Sequence, residues 1–376
     1  MFDLQRSDEQ MELLTLVHAF AEKEMRPLAR DAEKARQVPV ALGNALHALG
    51  VSCPIPEEQG GQGALDLVSY LMIAEELAWG DPGIAYASLA AGHAAILIAR
   101  CGTRDQQRAW LPHFMQAAPA SSSVLFYEGF GRAPSELRTR AELTASGWRI
   151  TGAKSEVLHP AAPDVAVIVA RRADTQALAA FAVSGALEGA SLTRDDRALG
   201  RIGLGAAPTG ALRLTDVALP ESALLSGADD LALERAIAWV RLTLPALALG
   251  CARAASEFAR EYATQRVAFG RPIAAFQGVA FPLADSDMAI DAARLELWET
   301  ARAVEASDDA RQIQQRTGAC VARAGEVALQ ATRDALQTLG GHGFITDYPV
   351  ERWYRCAAAL AAIDFDPSFL GTHYVT

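Results

Sequence analysis

Beyond Gly227 apolar residues recur every third or fourth position, a spacing that admits little except long amphipathic helices. Leu244, Leu247, Cys251, Ala254, Phe258 and Tyr262 share one face. Phe281, Ala284, Met288, Ala292, Leu295 and Trp298 share a second, and Val321, Ala324, Ala328, Ala331 and Ala335 a third, with charged residues opposite. Long helices this rich in alanine bury their stripes against one another as a bundle. The same period governs residues 8 to about 118, as in Met11, Leu14, Val17 and Ala21 or Val68, Met72 and Leu77, with breaks at Gly50, Pro54 and Gly60-Gly61. Between about 120 and 225 it gives way to short β-type runs at 123–127, 148–151, 165–169, 181–183 and 212–214, separated by Gly, Pro and Asp. The chain therefore reads as α+β, mainly α. Its expected domains are an N-terminal helical domain over 1–119, a small central β-barrel or sheet domain over 120–226 and a C-terminal helical bundle over 227–376.

With 376 residues the chain can build about two or three domains around a sizeable core. Apolar residues make up 51% and charged residues 21%, which suits a globular protein and excludes disorder. The net charge of −11 supplies no basic field, so neither nucleic acid nor an anionic membrane surface is expected as a partner. Cys53, Cys101, Cys251, Cys320 and Cys356 are scattered without a Cys-x-x-Cys pair, which points to reduced, core-packed thiols in a cytoplasmic protein. The N-terminus turns charged before any apolar block forms, so no signal peptide is expected. No apolar run reaches the roughly 18 residues that cross a bilayer. No metal is expected either, because neither His159 nor His342 has a partner at metal-ligand spacing. A Gly-x-Ser-x-Gly elbow and a complete Gly-x-Gly-x-x-Gly after a strand are both missing, which disfavours a hydrolase triad and a Rossmann-type cofactor site.

The densest local signal lies inside the last block. Arg266-Val-Ala-Phe-Gly-Arg-Pro-Ile273 is followed by Phe276-Gln277 and later by Gln337-Thr-Leu-Gly-Gly-His-Gly343. Arginine offers a permanent planar fork for a pyrophosphate, and glutamine offers amide donors and acceptors. The Gly340-Gly341-x-Gly343 turn lets backbone N–H groups approach a ligand. Each piece also has a plain reading: Gly270 with Pro272 closes a helix, Gly-Gly-His-Gly is a linker, and His342 either meets a phosphate or caps a helix. Jointly they read as a dinucleotide clamp built on helices.

In this order the pieces resemble the C-terminal half of the acyl-CoA dehydrogenase family of flavoproteins, and the likeness covers nearly the whole chain. Residues 20–27, 55–63, Glu75-Glu76 and Gly102-Thr-x-x-Gln106 with Trp110-Leu-Pro112 are similar to the family's first-domain signatures, and residues 348–355 to its last long helix. The resemblance implies the family fold, ending in a four-helix bundle. It implies FAD, held by Arg266, Phe269, Gln277, Gln337, Gly340, Gly341 and Gly343, several of them reaching the FAD of a neighbouring subunit in a homodimer or homotetramer. It implies oxidation of an acyl thioester of CoA or an acyl carrier protein, with a base taking the α-proton while the β-hydrogen leaves as hydride. An electron-acceptor flavoprotein or oxygen would then reoxidise the cofactor. Where the family sets a Thr-Glu-Pro loop and a Trp-Ile-Thr strand against the flavin, this chain has Tyr127-Glu128-Gly129 and Glu156-Val157-Leu158. Tyr127 and Ser135, the latter followed by Glu136, are the candidate flavin contacts in this region, with simple packing as the other reading of Tyr127.

The family's base is a glutamate at one of two positions. One falls on Val240, which cannot take a proton, beside Arg241; the other falls on Asp364 within Ala362-Ile-Asp-Phe-Asp-Pro367. Asp364 is therefore the candidate base, one methylene shorter than the family's, and Arg241 the candidate pocket cation. The plain alternatives are that Asp364 and Asp366 cap the turn before Pro367 and that Arg241 forms a structural salt bridge. These departures resemble divergent members in secondary metabolism, where a carrier-bound hydroxyacyl group is oxidised for a polyketide extender unit such as the methoxymalonyl type. A catalytically inactive scaffold and a flavin monooxygenase on the same fold are the remaining readings.

Overall fold

The computed structural model describes residues 6–61, 63–116, 120–129, 137–160, 163–185 and 187–364. Helix α1 (Asp8–Phe20) starts in a reciprocal cap, the Ser7 hydroxyl accepting from the Gln10 N–H and the Gln10 side chain from the Ser7 N–H. Then come α2 (Ala29–Ala35), α3 (Val40–Ala48), α4 (Leu67–Gly80), α5 (Pro82–Ala90), α6 (His93–Cys101) and α7 (Arg104–Trp110). Asp81 stops α4 and caps α5, its carboxylate accepting from the Ile84 N–H while Pro82 takes the first helical position.

The chain then turns to strands: β1 (Ser122–Leu125), β2 (Arg140–Thr144), β3 (Gly147–Leu158), β4 (Val165–Arg172), β5 (Leu178–Ser184), β6 (Ala190–Asp195), a short α8 (Asp196–Leu199) and β7 (Thr209–Leu219). They form one mixed sheet in the order β1-β4-β2-β3-β7-β6, with β5 paired to β4. Strand β4 is buried on both faces, Ala166, Ile168 and Ala170 entering a β core with Trp148 and Phe181 while Val165, Val167 and Val169 meet the helices. Strands β2 and β6 escape a reading of β-branched runs because they are short and mostly polar, with few buried positions.

Helix α9 (Asp230–Gln265) follows, then the two-residue strands β8 (Val267–Ala268) and β9 (Arg271–Pro272), α10 (Gln277–Ala306), α11 (Ala310–Leu339) and α12 (Val350–Ala361). The first and last helical blocks share one core, in which Val17, Leu71 and Ile73 pack with Leu247, Cys251, Leu297 and Ala328. The Glu75-Glu76 pair bolts α4 to this bundle: Glu75 accepts from Arg294 at 2.9 Å and Glu76 from Arg253 at 2.6 Å. Burial alone would raise the Glu76 carboxyl, but Arg253 and His18 outweigh it and hold the group below its usual value. All five cysteines are free and buried.

Two sequence expectations are corrected here. On α10 the residues Phe281, Ala284, Met288, Ala292 and Leu295 point outward, with Met288 64% exposed, and only Trp298 of that set is buried. The helix packs instead through Leu283, Ser286, Ile290, Ala293 and Leu297. Both stripes keep helical spacing, so period alone cannot choose between them, and the smaller side chains face inward where helices lie close. Second, Pro82–Cys101 and Asp230–Gln265 are long and apolar enough by composition to cross a bilayer, at mean hydropathy 1.4 and 1.3. The protein buries both, 94% of the second stretch's most apolar window lying inside it.

Candidate functional site

Arg241 and Asp364 meet. Arg241 lies about a third of the way along α9, and Asp364 follows the end of α12 by one turn. The guanidinium Nη2 donates to Asp364 Oδ2 at 2.8 Å and Nε donates to the same oxygen at 3.1 Å, while Nε stands 3.3 Å from Oδ1. Both side chains are only 3% exposed. A charge pair this deep in the protein persists because each ion satisfies the other, and removing one strands its partner. Sequence reasoning treated a base and a salt-bridged arginine as separate questions; the structure makes them one contact. Pro245 lies one turn on and has no N–H to offer the Arg241 carbonyl, so the helix ladder is interrupted at this turn.

Tyr127 closes the site from the sheet side, just beyond β1, where its carbonyl accepts from the Ser155 N–H at 2.8 Å. Burial pushes its phenol well above the ordinary value, and the Asp364 charge adds to that shift. Two turns before Arg241, Glu234 accepts from Gln314 at 2.8 Å. Burial raises its carboxyl, against the pull of Gln314 and Arg241. Glu234 escaped the sequence reading, although a carboxylate on the Arg241 face of an apolar helix was the available signal. Also unforeseen was His93 on α6, 5% exposed and 3.2 Å from Thr243 Oγ1, whose imidazole burial pushes down to about 3. Ser135, Glu136, Asp366 and Pro367 lie outside the described residues.

The segment that stands in for the family's flavin-facing strand is built differently. Glu156 sits at a β-bulge between Lys154 and Val157 with φ 53°. Arg194 at 3.0 Å and Arg201 at 2.5 Å hold its carboxylate. Beside it Lys154, 1% exposed, donates to Glu128 at 3.1 Å and to the Phe126 carbonyl at 3.1 Å. Burial draws the Lys154 ammonium down to about 8 against the opposing pull of Glu128.

The clamp residues gather at one end of the four-helix bundle. Helix α9 stops at Gln265, and Phe269 and Gly270, with φ 53° and 78°, form the two-residue turn between β8 and β9. The helix therefore does not run to Gly270, and Phe269 is 96% exposed at the tip. Arg266 and Gln277 flank this hairpin, and Gln337 lies in the last turn of α11; all three are exposed. Gly340 takes φ 58° and ψ −132°, a conformation closed to residues with a Cβ. A Cβ on Gly343 would lie 2.5 Å from the Leu336 carbonyl oxygen, whereas one on Gly341 meets nothing within 4 Å. The Nδ1 of His342 is 2.8 Å from the Tyr262 hydroxyl and its ring stacks on Tyr348. That contact fastens the turn to α9 beside Arg266.

Site and clamp are far apart in one chain. Arg241 and Arg266 lie on the same helix, about 37 Å apart along its axis at the ordinary rise per residue. The arrangement can do two things: hold a polyphosphate-bearing ligand at the surface, and present a buried carboxylate and guanidinium to a small reacting group elsewhere.

Comparison with known proteins follows the same division of the chain. Residues 7–118 match the model of the acyl-CoA dehydrogenase N-terminal domain, and residues 230–364 that of the C-terminal domain. An acyl-CoA dehydrogenase of Bacillus subtilis is 31% identical over 365 residues, covering 93% of each chain. The human mitochondrial short-chain specific acyl-CoA dehydrogenase is 29% identical, covering 92% of this chain and 84% of its own. Among solved structures, butyryl-CoA dehydrogenase from Megasphaera elsdenii superposes with a TM-score of 0.85 at 26% identity, covering 99% and 98% of the two chains. PigA, solved with FAD and proline, has a TM-score of 0.86 at 20% identity and shares the fold.

Proposed function

Because the chain belongs to the acyl-CoA dehydrogenase family, we propose that it is an FAD-dependent oxidoreductase whose Asp364 takes a proton from the α-carbon of an acyl thioester. The observation that carries this reading is the buried Asp364–Arg241 contact, since a carboxylate stands where the resemblance asks for one and is closed from water. Oδ2 takes both shorter bonds from the guanidinium, and Oδ1, 3.3 Å from Nε, is the oxygen that receives the proton. Arg241 keeps the carboxylate pointed and balances the charge there. Tyr127 walls the site with a phenol that burial keeps protonated.

FAD fits the donor set of the clamp: Arg266 for the pyrophosphate, Gln277 and Gln337 for polar edges, and the Gly340-Gly341 turn, whose open side leaves room for close approach. When bound, FAD supplies the hydride-accepting ring. The clamp lies farther from Arg241 than an extended dinucleotide reaches, which supports a homodimer or homotetramer in which one chain's clamp serves another chain's site. The outward stripe of Phe281, Met288 and Leu295 supports the same assembly. Five free, buried cysteines support a cytoplasmic location.

For the finer reading we favour a short acyl group carrying oxygen, borne by CoA or a carrier protein in secondary metabolism, because Tyr127, Glu156 and Asp364 make the region polar where the family pattern differs. An electron-acceptor flavoprotein or oxygen takes the electrons. Anaerobic mixing of the flavin-loaded protein with acyl-CoA and acyl-carrier thioesters tests this. Bleaching of the flavin band by a thioester supports the enzyme, and bleaching by hydroxyacyl thioesters alone moves the oxidised bond to a hydroxyl-bearing carbon. No bleaching by any thioester leaves a scaffold, or a monooxygenase if oxygen is consumed with externally reduced flavin.

A further inference from the structure

We propose that a cavity bounded by α3, α5 and the end of β3 binds an uncharged, largely apolar small molecule carrying one hydroxyl or carbonyl group, which His47 receives. The cavity measures about 440 Å³, inside the roughly 300–1,000 Å³ range of ordinary small-molecule sites. It lies where the first helical block meets the strands, and none of Arg241, Asp364, Tyr127 or the clamp residues lines it. The space opens to solvent at a rim of exposed residues, Gln37, Val40 and Asn44. Here small residues leave it open: Gly43 on α3, and Ala87 and Ala91 at the end of α5, with Leu46, Phe114 and Pro208 completing the apolar wall.

Two observations define the occupant. Among the described residues no aspartate, glutamate, lysine or arginine lines it, so CoA, FAD and other polyanions find no permanent counter-charge there. His47, in the last turn of α3, is 8% exposed and its Nε2 is buried with no hydrogen-bond partner among the described residues. A buried polar atom left unpaired is unfavourable, and a ligand hydroxyl or carbonyl reaching Nε2 removes that penalty. Gln37, Asn44, Ser52, Ser88, Ser121 and His159 are the other polar side chains of the lining.

Three probes with one body and one variable group separate these statements: p-cresol, toluene and p-toluate, titrated calorimetrically into the flavin-loaded full chain. The wild type binds p-cresol about tenfold tighter than toluene, the worth of one hydrogen bond, and p-toluate weaker than p-cresol by at least about tenfold. His47→Leu erases the preference for p-cresol while leaving toluene binding within about twofold. Gly43→Leu fills the cavity from a position whose Cβ has 4.0 Å of clearance and replaces a helix-interior glycine. It abolishes binding of all three probes with the melting temperature unchanged or raised. Equal binding of p-cresol and toluene by the wild type, p-toluate binding as tight as p-cresol, p-cresol binding that survives Gly43→Leu, or no heat with any probe overturns the proposal.

Discussion

Helix α9 runs through both proposed functional regions, and it treats them in opposite ways. At Arg241 the guanidinium is 3% exposed and satisfied by Asp364 inside the same chain. At Arg266, about 37 Å further along the axis, the side chain is exposed, and the neighbouring Phe269 stands almost wholly in solvent. The buried pair is therefore completed by folding, and its geometry belongs to the stability of the chain. The clamp has a rigid backbone, fixed by Gly340, Gly343 and the His342–Tyr262 contact, but side chains that await something from outside. Removing a residue from the first region should cost stability and chemistry together, whereas removing one from the second should cost binding alone.

The sharpest way to break that contrast is to remove one arginine from each region. Arg241→Ala strands a buried carboxylate and should lower unfolding free energy by about 3–5 kcal/mol, while Arg266→Ala should stay within about 0.5 kcal/mol and loosen FAD. Denaturant unfolding and flavin retention on dilution measure the two, and equal stability losses would erase the distinction. Next in size is acid sensitivity near the site. His93 is held neutral to about pH 3 in the fold, but takes a proton near pH 6.5 when unfolded. Its contribution is therefore complete above pH 6.5 and is lost as pH falls from there toward 3, by a few kcal/mol in all. His93→Leu should flatten that part of the stability profile, and an unchanged slope would assign the acid loss to the carboxylates.

Smaller effects divide the clamp itself. Gly343→Ala forces a methyl group against the Leu336 carbonyl and should destabilise by about 1–3 kcal/mol. Gly341→Ala meets open space and should alter only FAD affinity. Smallest for the single chain, Phe269→Ser and Phe281→Ser change two exposed side chains, leaving monomer stability within about 0.5 kcal/mol. Their effect should appear in light scattering as a smaller assembly; unchanged mass would put the interface elsewhere.

The architecture was legible because helical and strand periods alternate in long blocks, and the clamp motifs fall at the hairpin and turn that close one end of the bundle. What period could not supply was facing. On α10 two stripes have the same spacing, and the buried one was chosen by close packing around Ile290 and Ala293, information that lies in the partner helix. The short polar strand Arg140–Thr144 was hidden for a related reason, since its pairing with β3 and β4 gives it its place. At the site, Arg241 and Asp364 were found singly from residue type and motif position. That they touch depends on a chain reversal more than a hundred residues long, which no local pattern encodes. The lining of the His47 cavity is non-local in the same way, drawn from five separate stretches between Gln37 and Pro208.

The central claim is that the Asp364 carboxylate takes the proton that allows thioester oxidation. Stopped-flow flavin reduction, run anaerobically with the best short acyl thioester at equal flavin content, tests it directly. Asp364→Asn should slow reduction by at least about a hundredfold, while Asp364→Glu, which restores the family's side chain, should retain it. Reduction of the Asn variant at the wild-type rate would contradict the assignment.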